Sequence, residues 1–142
     1  MDLKLELVLI PVSDVDRAKA FYTEKVGFEL DVDTTPTEGF RVVQMTPPGS
    51  ACSVTIGTGL TDAEPGSYRG THLVVHDIDA ARAELVSRGV EVSDVRHFDR
   101  AKGEWQPDSD PEHADYASFA DFADPDGNTW VLQEVRAGKP GR

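Results

Sequence analysis

A chain of 142 residues, 39% apolar and 28% charged, suits one compact core of ordinary globular composition. Lys and Arg total 14 against 26 Asp and Glu, and the net charge of −12 argues against a broad electrostatic footprint for nucleic acid or an anionic membrane. No apolar run nears the ~20 residues of a membrane span, no leader pattern opens the chain, and the single Cys52 cannot form an internal disulfide, so a cytoplasmic location is expected.

In chain order, Leu3 to Val12 reads as a strand. Ser13 and Asp14 supply N-cap oxygens for a helix carrying Val15, Ala18, Phe21 and Tyr22, with Gly27 as its stop. Phe28 to Asp33, Phe40 to Thr46 and Cys52 to Gly57 read as three further strands. The pattern then returns. Val12, Asp14, Asp16, Ala18 and Ala20 recur at one constant offset as Val75, Asp77, Asp79, Ala81 and Ala83. Gly70 to Val75 is therefore a strand, Asp77 a cap, and Ile78, Ala81, Leu85 and Val86 the apolar positions of a second helix stopped by Gly89. Val90 to Phe98 reads as a strand, and Asp99 to Asp115 as a long polar loop of the kind that is often functional. Tyr116 to Ala123 and Thr129 to Val135 are the last strands, joined by a tight turn at Asp124-Pro125-Asp126-Gly127-Asn128. Two copies of one supersecondary unit follow from the repeat. Module one spans 3–59, a linker 60–67, module two 68–136 and a frayed tail 137–142.

The paired βαβββ modules, the run Pro11-Val12-Ser13-Asp14-Val15-Asp16-Arg17-Ala18-Lys19-Ala20-Phe21-Tyr22 and the Asp124 to Asn128 turn together resemble the vicinal oxygen chelate superfamily. That superfamily includes glyoxalase I, bleomycin-resistance proteins and extradiol dioxygenases. The resemblance implies an α+β fold in which two pseudo-symmetric βαβββ modules form one glyoxalase/bleomycin-resistance/dioxygenase-like domain with a concave cup. In the enzymes a divalent metal sits in the cup, held by His, Gln or Glu from the first and last strand of each module. Carried onto this chain, the ligand positions fall five residues before Val12 at Leu7, near Ser53, at Gly70 by the repeat, and four residues after Gly127 at Val131. Leu, Gly and Val cannot coordinate, so no metal and no other cofactor is expected. A displaced site through His72 and Gln133 is the alternative.

Strand alternation turns Val8, Ile10 and Val12 toward the helices and Leu7 and Leu9 into the cup. In module two, His72 and Val74 face the cup with Val131 and Gln133. Phe40, Phe122 and Trp130 are expected in the core. Trp105, in the polar loop, is expected as a lid over the cup or a cover for a dimer interface. His76 is expected to be exposed, His97 to belong to no motif and His113 to be a solvated loop residue. No phosphate-binding glycine loop or nucleophile elbow is present, and Cys52 has no activating surroundings in the sequence. The candidate cup is Leu7, Leu9, Ser53, His72, Val74, Trp105, Val131 and Gln133. It predicts an apolar or aromatic small-molecule ligand, and the resemblance implies a homodimeric binding protein of drug-sequestering or resistance type. The alternative is a glyoxalase-like lyase or isomerase, or a dioxygenase, with a non-standard metal site.

Overall fold

The computed structural model describes residues 1–139 and divides the chain into two compact units. Unit 1 is Met1–Tyr68 together with Asp124–Asn128. Unit 2 is Arg69–Ala123 with the chain from Thr129 on. The turn at 124–128, expected within module two, thus belongs with unit 1, and so does the linker at 60–67.

Unit 1 has β1 (Leu7–Leu9), α1 (Val15–Ala20), a π-helical continuation (Phe21–Val26), β2 (Glu29–Thr37), β3 (Phe40–Thr46) and β4 (Ser53–Thr58). The sheet order is β1-β4-β3-β2, with β1 and β4 parallel. Asp14 caps α1 by accepting the Arg17 N–H at 3.0 Å, a contact worth ~0.5–2 kcal/mol. The widened last turn is closed by the Gly27 N–H on the Tyr22 carbonyl, and Gly27 leaves it at φ 96°. This turn buries both Phe21 and Tyr22. Tyr22 stacks on Phe28 with centroids 5.5 Å apart. Val43, Met45, Val54 and Ile56 form the buried face of the sheet.

The strand expected at Leu3 to Val12 shrinks to three residues. Its partner β4 begins at Ser53, so nothing is left to pair with the preceding chain, and Leu3 and Leu5 are 85% and 70% exposed. β2 runs past its expected end through Pro36, which an edge strand tolerates because its outer N–H positions face no neighbour. Phe40, expected in the core, stands exposed at the start of β3.

Unit 2 has β5 (Thr71–Val75), α2 (Ile78–Ser87), β6 (Arg96–Asp99), β7 (Glu104–Pro107), β8 (Ser118–Ala123) and β9 (Thr129–Glu134), in the sheet order β5-β9-β8-β6-β7. Asp77 caps α2 by accepting the Ala80 N–H. α2 packs on β8 and β9, where Ile78, Leu85, Ala120, Phe122, Trp130 and Leu132 are buried. The fold is α+β, two modules with sheets of four and five strands.

Two expectations fail here for local reasons. Residues 90–95 form no strand: the Arg82 guanidinium takes the carbonyls of Val92 and Ser93 at 3.2 and 2.7 Å, and Ser93 bonds Asp121 sideways. The polar loop at 99–115 contains a strand. Asp99 accepts the Ala101 and Lys102 N–H groups, Gly103 takes φ 66°, and the returning segment pairs with β6 as β7. Trp105 is therefore a strand residue and not part of an irregular loop. The expected frayed tail is tied down at its start: Asp115 accepts the N–H groups of Arg136, Ala137 and Gly138, and the same contacts hold its carboxyl below the usual range. Residues 140–142 lie outside the described residues.

Candidate functional site

Register decides which side chains share a face of the second sheet. His72 stands opposite Val131 and Val131 opposite Asp121. Val74 stands opposite Gln133, Gln133 opposite Phe119, Phe119 opposite Arg96 and Arg96 opposite Pro107. Phe98 and Trp105 form the next pair out. Directly opposed residues point to one side. One face thus carries His72, Val74, Val131, Gln133, Phe119, Asp121, Arg96, Phe98 and Trp105, and α2 packs on the other.

The outer half of this face is an aromatic shelf. Trp105 meets Phe98 edge-on at 5.3 Å and Phe119 at 5.4 Å. The Arg96 guanidinium lies 5.2 Å from the Trp105 centroid and 5.8 Å from that of Phe119. It is locked in that plane by two bonds to Asp121, at 2.7 and 3.3 Å. Cation–π contact of this kind is worth ~0.5–1 kcal/mol at an exposed site. The shelf is ordered but not covered: Trp105 remains 52% exposed and Phe98 36%. An ordered, exposed aromatic group on a sheet face is the surface that a flat ligand stacks on.

The inner half is polar. His72 Nδ1 lies 2.6 Å from the Gly70 carbonyl. A carbonyl only accepts, so Nδ1 carries the proton, and in the neutral ring Nε2 is an acceptor facing outward. Gln133 donates through Nε2 to the Tyr116 carbonyl at 3.2 Å, which leaves Oε1 as the group's free-facing acceptor. Sequence reasoning had His72, Val74, Trp105, Val131 and Gln133 as candidates, and all five fall on this face. It missed Arg96, Phe98 and Asp121. The alternation of Arg96 and Phe98, followed by a four-residue loop ending at Gly103, was the hairpin signal that would have found those two; Asp121 joins them through the register of β8.

Leu7, Leu9 and Ser53 are in unit 1. Leu7 pairs with Ser53 and Leu9 with Thr55 on one face of the first sheet. Ser53 is buried, and its hydroxyl is engaged by Thr46 Oγ1 at 2.8 Å and by Gln44 Nε2 at 3.5 Å, with Thr46 in turn bonded to Asp31. Leu7, Gly70 and Val131 bring no donor atom to the positions where a divalent metal would be held. Among the described residues no group of three or more His, Cys, Asp or Glu is placed to hold one. The residues do not fit a metal of the enzymes' kind.

Of the two histidines at 97 and 113, only His113 is placed otherwise than expected. His113 is no solvated loop residue: its Nδ1 lies 3.0 Å from Oε1 of the fully buried Glu134, whose Oε2 accepts the Ile78 N–H at the start of α2. His97 is buried against the Asp108 carbonyl. No helix among the described residues is long and apolar enough to cross a membrane.

The model of the glyoxalase/bleomycin resistance protein/dioxygenase superfamily matches residues 4–132. Among solved structures, TnmS3, an antibiotic-binding protein from Streptomyces sp. CB03234, is 34% identical. It aligns over 94% of this chain and 96% of its own with a TM-score of 0.72. A glyoxalase/bleomycin resistance protein from the same Streptomyces is 35% identical over 92% of this chain and 100% of its own, with a TM-score of 0.69. A superfamily member from Sphaerobacter thermophilus DSM 20745 is 30% identical over 94% and 98%, with a TM-score of 0.71. None of the curated protein sequences matches the chain.

Proposed function

The chain belongs to the glyoxalase/bleomycin resistance protein/dioxygenase superfamily, and from that premise we propose that it is a metal-free binding member that sequesters a flat aromatic compound. The observation that carries this is the shelf of Trp105, Phe98 and Phe119 around the Arg96 guanidinium, ordered without being covered. Rings stack on the shelf, and His72 Nε2 and Gln133 Oε1 accept hydrogen bonds from the ligand's polar groups. Val74 and Val131 add apolar area between the two. The antibiotic binding of TnmS3 supports a ligand of that general kind. The donor-poor set Leu7, Ser53, Gly70 and Val131 supports binding without a metal.

The proposal extends to a homodimer. Leu30 and Val32 on the edge strand β2 are both more than 40% exposed, apolar surface that a second copy would cover.

Trp105 is exposed and Trp130 is 1% exposed, so a stacking ligand quenches one tryptophan and spares the other. A panel of aromatic antibiotics titrated against the protein is expected to quench the Trp105 signal. Trp105→Ala should weaken the best binder by tenfold or more, as a truncated aromatic anchor does. His72→Ala should cost ~1 kcal/mol. A binder whose affinity survives Trp105→Ala overturns the site. Light scattering showing a monomer at tens of micromolar overturns the dimer.

A further inference from the structure

The polar side chains on the inner border of the aromatic shelf are all held as hydrogen-bond acceptors. Gly70, at φ 76°, sets its carbonyl against His72 Nδ1 and is pinned by its own N–H, which reaches Thr129 Oγ1 at 2.8 Å. Tyr116, at φ 66°, sets its carbonyl against Gln133 Nε2 and is pinned by donating its N–H to the Glu134 carbonyl at 2.8 Å. Glycine takes a positive φ freely, but for tyrosine it costs ~1–3 kcal/mol, and strain of this kind gathers at ligand clamps. Neither carbonyl can donate. The His72 ring and the Gln133 amide therefore cannot turn over without losing these bonds, and they present Nε2 of the neutral ring and Oε1. Asp121 is a third acceptor, its carboxylate fixed by two bonds from Arg96. Val74 and Val131, on the same border, bring no polar side-chain atom.

Register sets the three acceptors around one ring position. Gln133 stands across from Phe119, ~4.8 Å away at the backbone, and Asp121 lies two residues from Phe119 along β8, ~6.6 Å. His72 is diagonal to Gln133 on the next strand, ~8 Å. Resting on the shelf as the stacking surface, we propose that the site selects a fused aromatic compound with hydrogen-bond donors, hydroxyl or amino, on two of its edges. The same ring carrying only ether or carbonyl oxygens is rejected. An oxygen without a hydrogen would set lone pair against lone pair and leave Nε2, Oε1 or the carboxylate desolvated with no partner, which is how a polar site discriminates most strongly. Arg96 stands on the outer side of this border, its charge answered by Asp121.

The test titrates naphthalene-2,6-diamine, naphthalene-2,6-diol, 6-methoxy-2-naphthol and 2,6-dimethoxynaphthalene, a single ring system whose donor groups are removed in steps. Binding is read by calorimetry and from the Trp105 indole N–H resonance. The diamine and the diol are expected to bind tenfold or more tighter than the dimethoxy compound, with the methoxynaphthol between them. Gln133→Leu removes one acceptor. It should weaken the diol and the diamine several-fold and leave the dimethoxy compound unchanged or tighter, a pattern that general loss of structure would not give. Gln133→Lys sets a donor in the same place and should bring the dimethoxy compound level with the diol or above it. Equal affinities for the four compounds, with the Trp105 resonance shifted by each, overturn the donor requirement and leave the shelf standing. A Trp105 resonance that none of them shifts overturns both. Equal diol affinity in Gln133→Leu and wild type also overturns the proposal.

Discussion

Asp124→Ala should be among the most damaging single changes in the first unit. The carboxylate is 5% exposed and accepts four hydrogen bonds. Oδ1 takes the backbone N–H groups of Asp126 at 2.9 Å and Asn128 at 3.0 Å. Oδ2 takes the Tyr22 hydroxyl at 2.7 Å and the Asn128 amide at 2.8 Å. Alanine leaves all four donors without this acceptor. Water can reach the Asp126 N–H, which is only part-buried, but the other three bonds are buried. At ~1–3 kcal/mol for each of the three buried donors, the loss comes to about 3–9 kcal/mol, against the ~5–15 kcal/mol that holds a typical domain. Tyr22→Phe removes one donor and leaves Oδ2 its bond from Asn128, so its cost should be about 1 kcal/mol. The pair therefore separates loss of an acceptor from loss of a donor. Urea unfolding followed by circular dichroism measures both. A loss below about 1 kcal/mol for Asp124→Ala refutes the accounting, and so does a Tyr22→Phe variant as unstable as Asp124→Ala.

Three more outcomes are expected. Gly127→Ala, at φ 96° with open space around a new Cβ, should cost only backbone strain of about 1 kcal/mol, whereas Gly66→Ala should cost clearly more, because its Cβ would lie 2.1 Å from the Asp126 carbonyl oxygen; equal melting temperatures would contradict this. Arg41 and Lys19 hold the Asp33 carboxyl well below its ordinary 3.8, so the stability they contribute is present above about pH 3.8 and fades as pH falls toward the folded-state value. Arg41→Met should thus lose ~0.5–1 kcal/mol at pH 7, with the gap to wild type narrowing below pH 3.8 in acid titrations of stability; a pH-independent gap would count against the ion pair as its cause. Elemental analysis of protein purified without chelator should find less than stoichiometric Zn, Ni, Mn or Fe, and EDTA should leave ligand affinity unchanged; a bound equivalent of any of them would reopen the enzyme alternative.

What the sequence determined by itself was local. Asp14 and Asp77 cap helices, and Gly27 and Gly127 take positive φ, because capping and left-handed backbone are decided within a few residues. The repeat around those caps carried the two-module fold, and alternation alone put His72, Val74, Val131 and Gln133 on one face. Tertiary structure decided where strands find partners. Leu3 and Leu5 alternate as well as any strand yet stay unpaired, because β4 starts too late to meet them. Residues 90–95 look like a strand, but their carbonyls are taken by Arg82, a contact from a helix that no local pattern announces. Trp105 read as a loop residue until β6 gave it a partner, and only that pairing set it against Phe98, Phe119 and Arg96. The aromatic shelf joins the three strands β6, β7 and β8, so its chemistry comes from register between strands, which the periodicity of any one strand does not encode.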